Sequence, residues 1–78
     1  MDSIELLKET AGKFGQTCNV SVSNYDTYSG MYRGYCESTP EAPLSLRLQI
    51  SKAEAERIGI PWIKEIGIPY DVIIKIEF

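Results

Sequence analysis

The chain has 78 residues, eight Lys plus Arg against eleven Asp plus Glu for a formal net charge of −3, and a 44% hydrophobic content ordinary for one soluble globular domain. A chain this short buries about 60 to 65% of its unfolded surface, so it holds one modest core and no cleft between lobes. Histidine is absent and only Cys18 and Cys36 carry thiols, which excludes His-dependent triads, His zinc sites, all-Cys zinc sites and iron–sulfur clusters.

Asp2 and Glu5 form a capping signature that predicts a helix over residues 3–14. Its apolar stripe is Ile4, Leu7, Ala11 and Phe14, with Glu5, Lys8, Glu9 and Lys13 toward water and Gly15 as the stop. From Cys18 to Tyr25 the chain alternates, Cys18, Val20 and Val22 against Asn19, Ser21 and Ser23, a strand with one wet side. Asn24, Asp26, Ser29 and Gly30 supply turn chemistry and Met31 to Glu37 returns, so the pair reads as a hairpin. A loop centred near Thr27 would set Cys18 opposite Cys36, where two free thiols are the expectation in a reducing cytosol.

Residues 38–43, with Pro40 and Pro43, predict a connecting loop. Leu44, Leu46, Leu48 and Ile50 alternate with Ser45, Arg47, Gln49 and Ser51 as a third strand. Ser51 and Glu54 cap a helix over 52–58 that Gly59 closes, with Ala53 and Ile58 facing the sheet. Ile58-Gly-Ile-Pro-Trp62 is echoed by Ile66-Gly-Ile-Pro-Tyr70 eight residues on, a spacing too short for a solenoid unit. Each copy reads as a helix ending at Gly with an Ile-Pro exit, Pro61 opening a helical turn from Trp62 to Ile66. Tyr70 to Phe78 then alternates as a last strand, inner or edge. The expected fold is a single α+β domain over 1–78, in the order α-β-β-β-α-β. It has a mostly antiparallel four-stranded sheet with both helices packed on one face.

Four of the five tyrosines, Tyr25, Tyr28, Tyr32 and Tyr35, fall in the hairpin with Arg33 among them. Tyrosine is a good strand residue and cross-strand aromatic pairs stabilise hairpins, which accounts for part of the set. Tyr and Arg are also anchor residues at interfaces, so these five are the candidate partner-binding residues. Trp62 is expected as a lid on the core. No carboxylate pair is spaced for acid–base work, and nothing local activates Cys36 as a nucleophile.

No metal, cofactor or catalytic residue is therefore expected, and the chain reads as a non-enzymatic, acidic protein-binding domain. Its size and charge fit an inhibitor or accessory protein of the kind phages and mobile elements encode, one that sterically blocks a host-defence or nucleic-acid enzyme. Two alternatives are a binder of single-stranded nucleic acid or a small ligand through the tyrosines, and a homo-oligomeric subunit joined through a sheet face or edge. Net acidity argues against nucleic acid as the main partner. No run approaches the roughly 18 apolar residues of a membrane span, and the first five residues lack the basic start of a secretory signal, so the cytosol is the expected location. Leu46 to Ile60, under a quarter of the chain, resembles the strand–helix half of swapped-hairpin bacterial transcription regulators. Pro61-Trp62-Ile63 replaces the Gly-Asp turn of those proteins and their basic arms are missing, so the resemblance assigns no residue a role.

Overall fold

The computed structural model describes residues 1–36 and 44–78. Helix α1 is Ser3–Thr10, capped by the Asp2 carboxylate accepting from the Glu5 amide at 2.7 Å. The strands are β1 Thr17–Val22, β2 Thr27–Cys36, β3 Ser45–Gln49, β4 Glu65–Pro69 and β5 Ile73–Glu77; helix α2 is Lys52–Arg57 and a 3-10 turn covers Tyr70–Val72. All neighbours are antiparallel in the order β4-β3-β2-β1-β5. The α+β class stands, and the sheet has five strands where four were expected. The loop expected at 38–43 and the end of the hairpin at Glu37 lie outside the described residues.

The additional strand is β4, where the second Ile-Gly-Ile-Pro copy was expected to follow a helical turn. Ile66 lies opposite Leu48 and Ile68 opposite Leu46, so a period of two against an apolar strand decides its conformation. The first copy, Ile58 to Pro61, does end a helix, with Gly59 at a φ of 84°.

Helix α1 also differs from expectation. It stops at Thr10, four residues early, and docks through Leu6 and Thr10, leaving Ile4, Leu7, Ala11 and Phe14 exposed. Leu6 and Leu7 are adjacent and only one can face inward. The Thr10 hydroxyl settles the choice by donating to the Leu6 carbonyl at 2.8 Å and bonding the Tyr35 hydroxyl. The helices do not share one face. Strand β3 pairs with β2 only over Met31–Cys36, and α2 stands beyond the end of β3, alongside the stretch of β2 left bare. There the Ser29 amide donates to Glu54 at 2.6 Å and Arg57 donates to the Thr27 carbonyl at 2.6 Å. Glu54 and Arg57 are themselves paired, so an ion pair occupies the place of a neighbouring strand. The inward residue of α2 is Ala55, with Ala53 exposed.

The hairpin loop is Ser23 to Tyr25, closed by Val22 N–H to the Asp26 carbonyl at 2.9 Å. That loop puts Cys18 opposite Gly30, not Cys36, and both thiols are free. Tyr25 ends the loop at a φ of 68°, a left-handed conformation usual for Gly or Asn at this position of a three-residue hairpin loop. The core joins Leu6, Val20, Leu46, Leu48 and Ile73, all fully buried, on one face of the sheet. Only Tyr70–Val72 separates β4 from β5, a reach of about 15 Å at most, whereas the edges of a flat five-stranded sheet lie about 19 Å apart. The sheet must therefore curl around its core, and the 3-10 turn bridges its edges, with the Tyr70 amide donating to the Leu44 carbonyl at 3.2 Å and the Ser23 amide to the Val72 carbonyl at 2.9 Å.

Candidate binding surface

One end of the sheet is shaped by a bulge in β2. Between the pairs Tyr32–Leu48 and Tyr35–Leu46 the strand carries one extra residue, and Gly34 takes a φ of 87°. The residues before β1 run alongside: the Gly15 amide donates to the Tyr32 carbonyl and the Tyr32 amide to the Gln16 carbonyl, both at 2.9 Å. This brings the Phe14 ring to Gly34, where an added methyl would lie 3.7 Å from it, and sets the Arg33 guanidinium 5.1 Å from the Phe14 centroid. The Lys13 ammonium lies 5.7 Å from the Phe78 centroid.

Tyr32 is the hub beneath these groups. It is buried, and Phe14, Tyr35 and Phe78 meet it edge-on with centroids at 6.3, 5.7 and 6.1 Å. Tyr35 is half-buried with its hydroxyl bonded to Thr10; burial, with Tyr32 beside it, holds the phenol protonated well above the usual range. The rings that reach solvent are Phe14, 62% exposed, and Phe78, 41% exposed. The three ion pairs among the described residues use Arg47 with Glu65, Arg57 with Glu54 and Lys75 with Glu77, and none involves Lys13 or Arg33. The result is a rim of two open phenyl rings, each with a cation at one face.

The five nominated residues divide between the two ends of the sheet. Tyr32, Arg33 and Tyr35 gather at this rim. Tyr25 stands at the hairpin tip, 92% exposed. Tyr28 lines an open groove of about 440 Å³ with Val22, Ile58, Ile60, Ile66 and Val72. Phe14 and Phe78, which the sequence placed in a helix stripe and a strand, are the exposed members of the rim. Phe14 joins it only through the pairing of residues 15 and 16 with Tyr32, a long-range contact that no local pattern announces. Trp62 is 75% exposed and does not cover the core; Ile63 turns inward beside it instead.

Burial raises the Cys18 thiol above its ordinary value, which disfavours the reactive thiolate. Among the described residues no group of three or more Cys, Asp or Glu side chains is arranged to hold a metal ion, and no helix is long and apolar enough to cross a membrane. Comparison of the chain with protein-family models, with curated proteins and with solved structures finds no match.

Proposed function

We propose that the chain is a non-enzymatic protein-binding domain that blocks or bridges another protein by covering its surface, with the Phe14–Phe78 rim as the contact. The observation that carries this reading is the pairing of two solvent-open phenyl rings with Arg33 and Lys13 on a rigid aromatic base. Aromatic residues and Arg are the side chains enriched at the centres of protein interfaces, where a few anchors supply most of the affinity. Tyr32 supports the reading indirectly, because a buried hub fixes the rings before any partner arrives and lowers the ordering cost of binding. The sharper form, a cytosolic inhibitor or accessory protein of mobile-element type, rests on small size and acidity.

The test is a tagged pull-down from host lysate, with and without nuclease, using the chain and its Phe14→Ala and Arg33→Ala variants. Both substituted side chains are exposed, so circular dichroism should show the fold retained. A protein that survives nuclease with the unaltered chain and is lost with Phe14→Ala is the expected result. Capture of nucleic acid without protein would overturn it and put the rings to use as base-stacking platforms.

A further inference from the structure

We propose that β5 is the seam of a symmetric homodimer, in which Ile74–Phe78 pairs antiparallel with the same segment of a second copy and Ile76 lies opposite the partner's Ile76. This goes beyond the rim reading, because the occupant is the chain itself and the surface is a backbone edge. Among the described residues β5 pairs with no strand but β1, and past the Ile73 carbonyl, which takes the Met1 ammonium, its outer edge has no partner strand.

The backbone sets which residues can pair there. Gln16 and Val22 hydrogen-bond toward β2, so the even-numbered residues between them point their amides and carbonyls that way and Asn19 and Ser21 point theirs toward β5. Asn19 lies opposite Glu77 and Ser21 opposite Lys75, which makes those the bonded pairs of the β1–β5 ladder. The amides and carbonyls of Ile76 and Phe78 and the carbonyl of Ile74 are left pointing out of the sheet, while the Ile74 amide lies in the bulge of β5 opposite Val22, on the far side of its peptide from the Ile73 carbonyl that Met1 holds at the edge. A two-fold axis through Ile76 turns these same residues onto their counterparts, and each outward donor meets an outward acceptor.

The side chains agree with that register. It sets Ile74, 55% exposed, opposite the partner's Phe78, and the pair occurs twice by symmetry. It also sets Lys75 opposite the partner's Glu77. Within one chain the Lys75 ammonium already lies 2.6 Å from the Glu77 carboxylate, so the dimer closes a ring of four charges of alternating sign. A shift of one residue would orient the outward amides of one copy against the inward ones of the other. A shift of two residues would break the charge match. No proline guards this edge, whereas the opposite edge strand ends in Pro69, which has no donor. The bulge lies in β5, where Ile73 and Ile74 together face the single residue Val22, and it limits the pairing to the Ile74 carbonyl and the residues after it. Exposed Ile4 and Leu7 add apolar surface close by, since the Met1 ammonium donates to the Ile73 carbonyl and so starts α1 beside the edge.

Sedimentation equilibrium over micromolar to millimolar chain should show a mass rising from 8.8 kDa toward twice that value. Lys75→Glu and Glu77→Lys, each at an exposed side chain, should weaken association about tenfold or more while leaving circular dichroism unchanged. The deciding measurement mixes the two single variants. Each has lost its internal ion pair, one carrying carboxylates at both positions 75 and 77 and the other ammonium groups at both. In the mixture every carboxylate of the first chain faces an ammonium of the second, so a heterodimer should form at least as tightly as the unaltered dimer. In hydrogen exchange, the amides of Ile76 and Phe78 should gain protection with concentration, while those of Lys75 and Glu77 are protected throughout. A monomer at every concentration, or a mixture no tighter than its components, overturns the proposal. Neither outcome bears on the rim, which Phe14→Ala tests separately.

Discussion

Among the described residues, two of the stretches of backbone that lack a neighbouring strand, one on β2 and one on β5, are treated differently. Along β2, from Thr27 to Gly30, the missing neighbour is replaced by the Glu54–Arg57 ion pair of α2, which takes the Ser29 amide and the Thr27 carbonyl. Along β5 the Met1 ammonium meets the Ile73 carbonyl, and beyond it no described side chain is bonded to the outer edge, although the strand is more apolar. Edges are aggregation liabilities that folded proteins cover, twist or charge. An edge left open beside one that is plugged by side chains is evidence of use, and self-pairing of β5 is the use its register fits.

Leu48→Ala removes a fully buried side chain opposite Ile66 and should cost about 2 to 5 kcal/mol by urea denaturation. A cost well under that range would mean that the central strands do not carry the sheet. Gly30→Ala attacks the plugged stretch itself. Its Cβ would fall onto the Gln49 carbonyl oxygen and lie 2.8 Å from Leu48 Cγ, so about 1 to 3 kcal/mol should be lost in the same assay.

Glu54→Gln tests the plug more gently. Arg57 first, and the Ser29 amide with it, hold the Glu54 carboxyl below its ordinary value against the opposing effect of burial. A carboxyl whose pKa is depressed on folding stabilises the fold above its unfolded pKa, and that contribution is lost as pH falls through the lower folded value. Acid titration should therefore show stability falling below about pH 4.5, with the Glu54→Gln variant about 1 kcal/mol less stable at neutral pH and flatter over that acid range. If both proteins have the same acid profile, the ion pair does not guard β2. The smallest effect has the opposite sign. Tyr25→Asn should raise stability by up to about 1 kcal/mol, because Asn adopts the left-handed conformation at lower cost. A lower melting temperature would show that the Tyr25 side chain holds the hairpin despite its exposure.

What was legible in the sequence was whatever local pattern controls. The Asp2 and Ser51 caps, the alternation through Cys18, Val20 and Val22, and the strand from Leu44 were readable because capping and period-two burial are properties of neighbours in the chain. The failures lie where a distant partner decides. Ile-Gly-Ile-Pro occurs twice and folds once as a helix exit and once as a strand, and only the opposing Leu46 and Leu48 distinguish the second copy. Leu6 and Leu7 offered α1 two faces, and the Tyr35 hydroxyl on β2 selected the first. Of the candidate site, Arg33 and its tyrosines could be nominated from composition. That Tyr32 is buried while Phe14 and Phe78 stand open required the bulge at Gly34, and a lone Gly between aromatics carries that information too weakly to be used.

The ladder between β1 and β5 also has a consequence in time. Asn19 waits for Glu77, a separation of 58 residues along the chain. At about 5 to 20 residues per second, a ribosome needs roughly 3 to 12 s between making one and making the other. Through that interval β1 has its hairpin partner but no neighbour on its other side, and the bare flank of the nascent hairpin is the same flank that β5 later covers. Closing so long a loop is slow compared with forming the hairpin, so the final docking of β5 is expected to set the folding rate. A transient open flank on β1 and the open flank of β5 in a single copy are then the same edge problem, handed from one strand to the next as synthesis proceeds.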